Sequence, residues 1–337
     1  MINLLEVENF KSLKNVAVNC KKINLIIGEP NTGKSNLLEA IGVLSWVGHK
    51  NFTINSFVRM GMMADLFYAK KQWYNTIRIS TGGLETTIKF SNGIYMFGSK
   101  ITGDPEKSGY KIQFYTDQYG GNAHEELSNP EVETRHKTFK FYRFSADAIM
   151  LNLQDTGYLL PPDGRNLSVI VLTNEKLREI AKNVVEQYGM KLVFVQPDNH
   201  MELQVELEEG LVASFSPKVS SDTIFRLLFS IAAIESNSNS IITLEEPEAH
   251  TFPYYTKYLA ERIALDENNN QFFITTHNPY FLISILEKAK KDKVAVHVTK
   301  FEEMQTKVRT LSAEELEKML DLGADVFFNL DKFFKTS

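Results

Sequence analysis

The chain has 337 residues, 43% hydrophobic and 23% charged, a globular composition long enough for one large α/β domain or two closely packed lobes. A net charge of −5 and a pI near 5.9 exclude a generally basic, nucleic-acid-coating protein and leave only a local basic groove open. No apolar run reaches the roughly 20 residues of a membrane span, no signal peptide opens the chain, and Cys20, the single cysteine, cannot form an internal disulfide, so a cytoplasmic protein without membrane association is expected.

The segments "NLLEVENF" and "VAVNCKKINLIIG" read as opening strands, the second running directly into a glycine-rich loop. Beyond the loop, Leu37, Leu38, Ile41 and Leu44 recur at helical spacing. Residues 76–116 read as antiparallel β structure, with turn signals at Gly82-Gly83 and Asn92-Gly93. Residues 102–136 are polar and loop-rich, and "TFKFYRF" reads as a further strand. From about residue 150 the pattern is more helical. Asn174 is placed to cap a helix with Leu177, Ile180, Ala181, Val184, Val185 and Tyr188 on its apolar face, ended by Gly189. "MELQVELEEGLVASF" alternates and turns at Glu209-Gly210, and "TIFRLLFSIAAIE" is a strongly apolar helix. A strand "IITL", a helix, a strand "QFFITT" and a tail with a capping pattern at Ser312 and Glu315 complete the chain. Strands alternating with helices around the motif-bearing parts argue for a mainly parallel sheet.

"GEPNTGKS" fits G-x-x-x-x-G-K-[ST] through Gly28, Gly33, Lys34 and Ser35, with Glu29, Pro30, Asn31 and Thr32 inside the loop and Asn36 just beyond it. Glycines let the backbone curl so that its N–H groups face phosphate oxygens, and the following helix points its positive end at them. Lys34 is the residue to reach the β- and γ-phosphates, and the Ser35 hydroxyl the one to ligate Mg²⁺. A plain turn requiring glycine does not explain Lys34-Ser35.

"SIITLEEPEAH" sets Glu245 and Glu246 at the end of an apolar strand. Hydrolysis of a γ-phosphate uses one carboxylate near the metal and another to orient or deprotonate the attacking water. Glu245 stands where aspartate is more usual and is the expected metal residue; Glu246 is the candidate general base. A solvated acidic turn is the alternative. "QFFITTHNPYFL" places His277 at the end of the second strand, on the ligand edge of an open parallel sheet, where it can contact a γ-phosphate; a purely structural histidine is the competing reading. His49, His124, His136, His200 and His297 show no metal-ligand spacing.

Together these segments resemble the ABC-type ATPases of the RecF/SMC/OLD group, the small OLD-like ATPases in particular. "LLEVENFKSLKNVAVN" before the loop is similar to that group's "NF-[KR]-S" opening, "LEEPEAH" to its acidic motif, "ITTHNPYFL" to its switch-histidine segment and "DGRNL" (163–167) to its "DG-x-NL" element. The resemblance implies an α/β P-loop NTPase of ABC-ATPase type: a mixed sheet with an N-terminal antiparallel β region and a helical lobe. Its division would be an ATPase lobe over 1–150, a helical signature lobe over 151–235 and a return to the ATPase core over 236–337. It further implies Lys34, Glu246 and His277 as catalytic residues and a dimer sandwiching two ATPs. In such a dimer a signature segment acts from the other subunit; here "SSDTIFRLL" supplies Ser221, Asp222 and Thr223, with Thr223 where glycine is usual. A serine-rich helix cap is the plainer reading of that segment.

ATP and Mg²⁺ are the expected cofactors, and a homodimer or higher oligomer the expected assembly. The tail after His277 lacks the glutamate and D-x-D set of a Toprim nuclease, so the chain reads as a motor without a nuclease. The family analogy suggests DNA repair or anti-phage defence with a separately encoded nuclease or toxin. Nucleic-acid binding is possible but no feature of the sequence specifies it. Two other readings compete: a nucleotide-binding scaffold with little turnover, and, less well supported, a P-loop kinase, which the wide separation of Lys34 from Glu245 opposes.

Overall fold

The computed structural model describes residues 1–107, 109–121, 124–146, 156–195, 200–216 and 222–334. Strands β1 (Leu4–Phe10) and β2 (Leu13–Asn19) pair antiparallel, and β3 (Ile23–Gly28) follows. The stretch from Val16 to Gly28, expected as one strand, is therefore two. Asn24 and Lys21 exchange two hydrogen bonds of 2.8 Å across the break, Lys21 N–H to Asn24 Oδ1 and Asn24 Nδ2 to Lys21 O, and the chain passes there from one sheet to another.

Helix α1 (Lys34–Gly48) comes next, then β4 (Ile77–Ser80), β5 (Leu84–Ser91), β6 (Ile94–Ile101), β7 (Lys111–Thr116) and β8 (His124–Leu127). With β1 and β2 these form a seven-stranded antiparallel sheet in the order β2-β1-β4-β5-β6-β7-β8. Asn92 (φ 51°) and Gly93 (φ 82°) turn the β5–β6 hairpin, the pair of positive φ values that a tight hairpin favours. The polar stretch expected to be loop-rich also holds helix α2 (Pro130–Lys137). Its start is explicit: the Asn129 side chain accepts the N–H groups of Glu131 and Val132, with Pro130 at the first helical position.

Strand β9 (Phe139–Tyr142) and helices α3 (Leu167–Thr173) and α4 (Glu175–Glu186) follow, α4 capped by Asn174 as its sequence indicates. Strands β10 (Lys191–Val195), β11 (His200–Glu208) and β12 (Leu211–Phe215) make a small antiparallel sheet, with β10 added to the expected hairpin. The remainder is α5 (Asp222–Glu235), β13 (Ile241–Glu245), α6 (Pro253–Ala264), β14 (Gln271–Thr275), α7 (Pro279–Lys288), β15 (Val294–Glu302), β16 (Gln305–Thr310), α8 (Ala313–Leu322) and α9 (Leu330–Phe334). The β15–β16 hairpin has no counterpart in the sequence reading. Its turn is Glu303 (φ 49°) and Met304 (φ 60°), which carries neither glycine nor asparagine and so lacks the usual turn signal.

The central sheet runs β16-β15-β3-β14-β13-β9, parallel except for β16. Alternation along its strands builds two cores. Leu25, Ile27, Phe272, Ile274, Ile242 and Leu244 pack on the side of α5, α6 and α7. Ile26, Phe273 and Ile241 pack with α1 and the antiparallel sheet. Helix α1 lies between the two sheets, which is why Leu37, Leu38, Ala40, Ile41, Val43, Leu44, Trp46 and Val47 are all buried around its circumference. Among the described residues, no helix is long and apolar enough to cross a membrane.

Candidate functional site

The glycine loop joins β3 to α1. Gly33 has φ 92°, and a Cβ there would sit 2.0 Å from Thr306 Oγ1; a Cβ on Gly28 would sit 2.3 Å from Thr299 Oγ1. Both glycines are thus required by the close approach of the β15–β16 hairpin as well as by the curl of the loop. Hydroxyl pairs fix that approach: Thr32 with Thr299 at 2.6 Å and Ser12, from the β1–β2 turn, with Thr306 at 2.6 Å. Asn36 Nδ2 donates to Ser12 Oγ at 2.7 Å. Lys34 folds back over the loop, donating to the carbonyls of Gly28 at 3.0 Å and Glu29 at 2.7 Å. Burial pulls its ammonium down to about 8, against the opposing charges of Glu246 and Glu29.

Three parallel strands end beside this loop. Glu245 at the end of β13 is in register with Thr275 at the end of β14, and Thr275 with Ile26 of β3. The strand order therefore brings Ser35, Glu245, Glu246 and His277 to one edge. Ser35 Oγ donates to Glu245 Oε1 at 2.5 Å. His277 Nε2 lies 3.4 Å from Glu246 Oε1. Glu246 has φ 45°, a left-handed conformation costly for a residue with a side chain, and its N–H is held by Thr275 O at 3.0 Å. Burial, then Lys34, hold the His277 imidazole below its ordinary range, with Glu246 opposing. Lys11, Ser12, Lys34, Ser35, Glu246 and His277 line one recess. Paired oxygen donors such as Ser35 and Glu245 suit a hard divalent cation.

The sequence reading did not reach Glu39. It lies one helical turn after Ser35 on the same face of α1 and is 1% exposed. Its Oε1 accepts from Arg59 N at 3.1 Å, Arg59 Nε at 2.9 Å and Arg143 Nη2 at 3.1 Å, and its Oε2 from Lys11 Nζ. Burial pushes the Glu39 carboxyl up, but the charge and hydrogen bonds of Lys11 and Arg59 outweigh it and the net shift is down. Arg59 also reaches Glu245 Oε1, so this cluster adjoins the strand-end carboxylate. Lys11 belongs to the "NF-K-S" segment and Glu39 to "LLEAI"; nothing local in the sequence brings Arg59 and Arg143 to them.

The signature segment is only partly described: Ser221 lies outside the described residues and of Asp222 only the backbone is described. Thr223 Oγ1 donates to His250 O at 3.1 Å within its own chain. Among the other histidines, His136 and His297 are fully buried, and burial drives each imidazole down to about 4. No group of three or more metal-ligating His, Cys, Asp or Glu side chains occurs among the described residues.

A mixed α/β P-loop NTPase with an N-terminal antiparallel sheet is the class that fold and site define. The AAA ATPase domain family matches residues 1–156 and 220–282, well over half of the chain, and the chain belongs to that family, whose membership implies nucleotide binding and ATP hydrolysis. Among solved structures, the chain is similar to an SMC head bound to the C-winged helix domain of ScpA, with TM-score 0.55, 16% identity and coverage of 93% of this chain and 99% of that one. It is similar also to the Pyrococcus furiosus Smc head with an extended coiled coil, bound to the C-terminal domain of ScpA (0.54, 14%, 95% and 98%). The Pyrococcus yayanosii Smc head with a coiled coil and joint compares at 0.51 and 11%, over 95% and 99%. At these identities the likeness is one of fold. No curated protein matches.

Proposed function

We propose that this protein is an ATP-binding and ATP-hydrolysing switch that dimerises around ATP in the cytoplasm and couples turnover to a partner protein. The observation that carries the reading is the convergence of the Lys34 loop, the Glu245-Glu246 strand end and His277 at the carboxyl ends of three adjacent parallel strands, where ligands bind in open α/β sheets. Residues Gly28 to Asn36 would cradle the phosphates, with Lys34 leaving its loop carbonyls for the β- and γ-phosphate oxygens. Ser35 and Glu245 would hold Mg²⁺, which when bound would neutralise phosphate charge. Glu246 would orient the attacking water and accept its proton, and His277 would face the γ-phosphate from beside Glu246. Ser221, Asp222 and Thr223 would act from the second subunit. Residues 1–150, 151–235 and 236–337 would be the first ATPase lobe, the signature lobe and the returning ATPase core.

The resemblance of "NFKS", "LEEPEAH" and "ITTHNPYFL" to the OLD-like ATPases supports a role in DNA repair or anti-phage defence beside a separately encoded nuclease or toxin. Thr223, standing where the group has glycine, favours a second reading, a nucleotide-dependent scaffold with little turnover. One experiment separates them. Under the first, ATP turnover by the wild type falls at least a hundredfold in Glu246→Gln while nucleotide binding persists. A wild type no faster than Glu246→Gln would establish the scaffold.

A further inference from the structure

We propose that Glu248 is a positioning residue whose buried side chain, by holding the Thr276 hydroxyl, sets His277 against Glu246. The inference rests on the hydrolytic reading above and adds a residue to its machinery. Glu248 follows the two strand-end carboxylates by one turn of chain and is 5% exposed. Thr276, fully buried, donates its hydroxyl to Glu248 Oε1. The same hydroxyl accepts the Asn278 N–H at 3.0 Å, and the Thr276 N–H meets Ile26 O of β3 at 3.4 Å. His277 is therefore flanked on both sides by residues tied to one oxygen, Thr276 Oγ1, and that oxygen is tied to Glu248.

The link closes a loop. Glu246 and Glu248 leave β13 together, Thr276 and His277 leave β14 together, and the two strand ends meet twice: Glu248 with Thr276 and, at 3.4 Å, Glu246 with His277. The Glu246 N–H bond to Thr275 O at 3.0 Å fixes the remaining side. Without the Glu248–Thr276 tie, the His277 side chain would be left with its half-exposed contact to Glu246 and its ring contact with Phe327.

A carboxyl is a costly choice for this position. Burial pushes Glu248 up to about 7; Thr276 and its own N–H act against that, Glu246 adds to it, and the His277 N–H opposes it. Its Oε2 is buried without a hydrogen-bond partner among the described residues. Buried polar atoms without partners are destabilising, so stability alone does not account for a glutamate here. An acceptor aimed at Thr276 does.

The test follows the His277 imidazole directly, by NMR of the full-length protein labelled at histidine, alongside nucleotide affinity and turnover. In Glu248→Ala and Thr276→Val, His277 is expected to titrate closer to the ordinary value of about 6.5. Turnover should fall about tenfold, as for a misplaced catalytic group, with nucleotide affinity unchanged within about twofold. Glu248→Gln and Thr276→Ser keep the acceptor and the hydroxyl, and should keep both the wild-type His277 titration and turnover within about threefold. The proposal is overturned if Glu248→Ala and Thr276→Val leave the His277 titration unmoved, or if Glu248→Gln shifts it as far as Glu248→Ala does. Should Glu248→Ala not fold, Thr276→Val against Thr276→Ser decides the question alone. A wild type without turnover would defeat the hydrolytic reading yet leave the His277 titration able to test the tie.

Discussion

The Ser35 hydroxyl donates to Glu245 Oε1 at 2.5 Å, joining residues 210 positions apart in the chain. One sits in the first turn of the helix after the glycine loop, the other at the end of a strand two places away in the central sheet. The pairing sets two oxygens side by side, and a cation taking both would displace the hydrogen bond between them. Arg59 meanwhile leans on the same Glu245 oxygen, so that oxygen already carries two donors.

This relationship predicts how divalent cation and nucleotide cooperate. In Ser35→Ala, nucleotide affinity measured in EDTA should match the wild type within about twofold, because the loop N–H groups and Lys34 remain. The gain in affinity on adding Mg²⁺ should shrink by about tenfold or more, since one oxygen of a small ligand set is gone. Glu245→Gln should follow the same pattern. Fluorescent-nucleotide titrations with and without Mg²⁺ measure both numbers. An undiminished Mg²⁺ gain in Ser35→Ala would remove the pair from the metal site.

On the proposed role of Lys34, the pH dependence of nucleotide binding is expected to follow its ammonium. Burial holds its ammonium at about 8 in the free protein; a phosphate beside it favours the charged form and raises that value. Below pH 7 Lys34 is charged with or without nucleotide, and binding is insensitive to this group. As pH rises past 8 the free protein loses the proton while the complex keeps it, so binding takes up a proton and affinity falls. Between pH 7.5 and 9.5 the fall should be about twentyfold, the slope steepening toward the one-proton limit of tenfold per pH unit only at the upper end of that range. Lys34→Arg, charged throughout this range, should bind more weakly but with a flat profile. Calorimetry in two buffers of different ionisation enthalpy would count the proton; no uptake at pH 9 would show that Lys34 does not meet the ligand's charge.

How much of this was legible beforehand depends on the distance over which each signal acts. The glycine loop, the helix through Leu37 and Leu44, the Asn174 and Ser312 caps and the two strand ends are written in a few adjacent residues, and each appears in the fold as read. The break at Lys21 escaped notice because both halves are apolar and β-prone, and only the Asn24 side chain marks the change of sheet. Strand β15 and its partner β16 were missed for want of a glycine at the turn, though they brace the loop through Thr299 and Thr306. The cluster around Glu39 was beyond local reading. Its members come from the β1–β2 turn, α1, the segment after it and the end of β9, and only the fold gathers them.

That cluster yields the sharpest stability prediction. Glu39 is the buried acceptor for three cations whose own exposure differs: the Lys11 side chain is 12% exposed, Arg143 27% and Arg59 57%. Removing the carboxylate charge with Glu39→Gln leaves Lys11 desolvated beside two guanidinium groups with nothing to neutralise it. Breaking a buried ion pair by deleting one partner costs about 3–5 kcal/mol; water can reach two of the three cations, so the lower end applies. On a chain of this size that corresponds to a melting temperature roughly 4 °C lower. Arg59→Ala removes one donor of four from the solvent side and should cost about 1 kcal/mol or less. Its effect belongs instead to Glu245, which loses its nearest cation. Thermal unfolding of the two variants at neutral pH makes the comparison, and equal losses would mean that Glu39 is not the anchor of the cluster. The direction with pH follows from the sign of the Glu39 shift. A carboxyl held below its ordinary value stabilises the fold above that value and loses the contribution as pH falls through its depressed one. The gap between wild type and Glu39→Gln should therefore be full at pH 7 and close under acid.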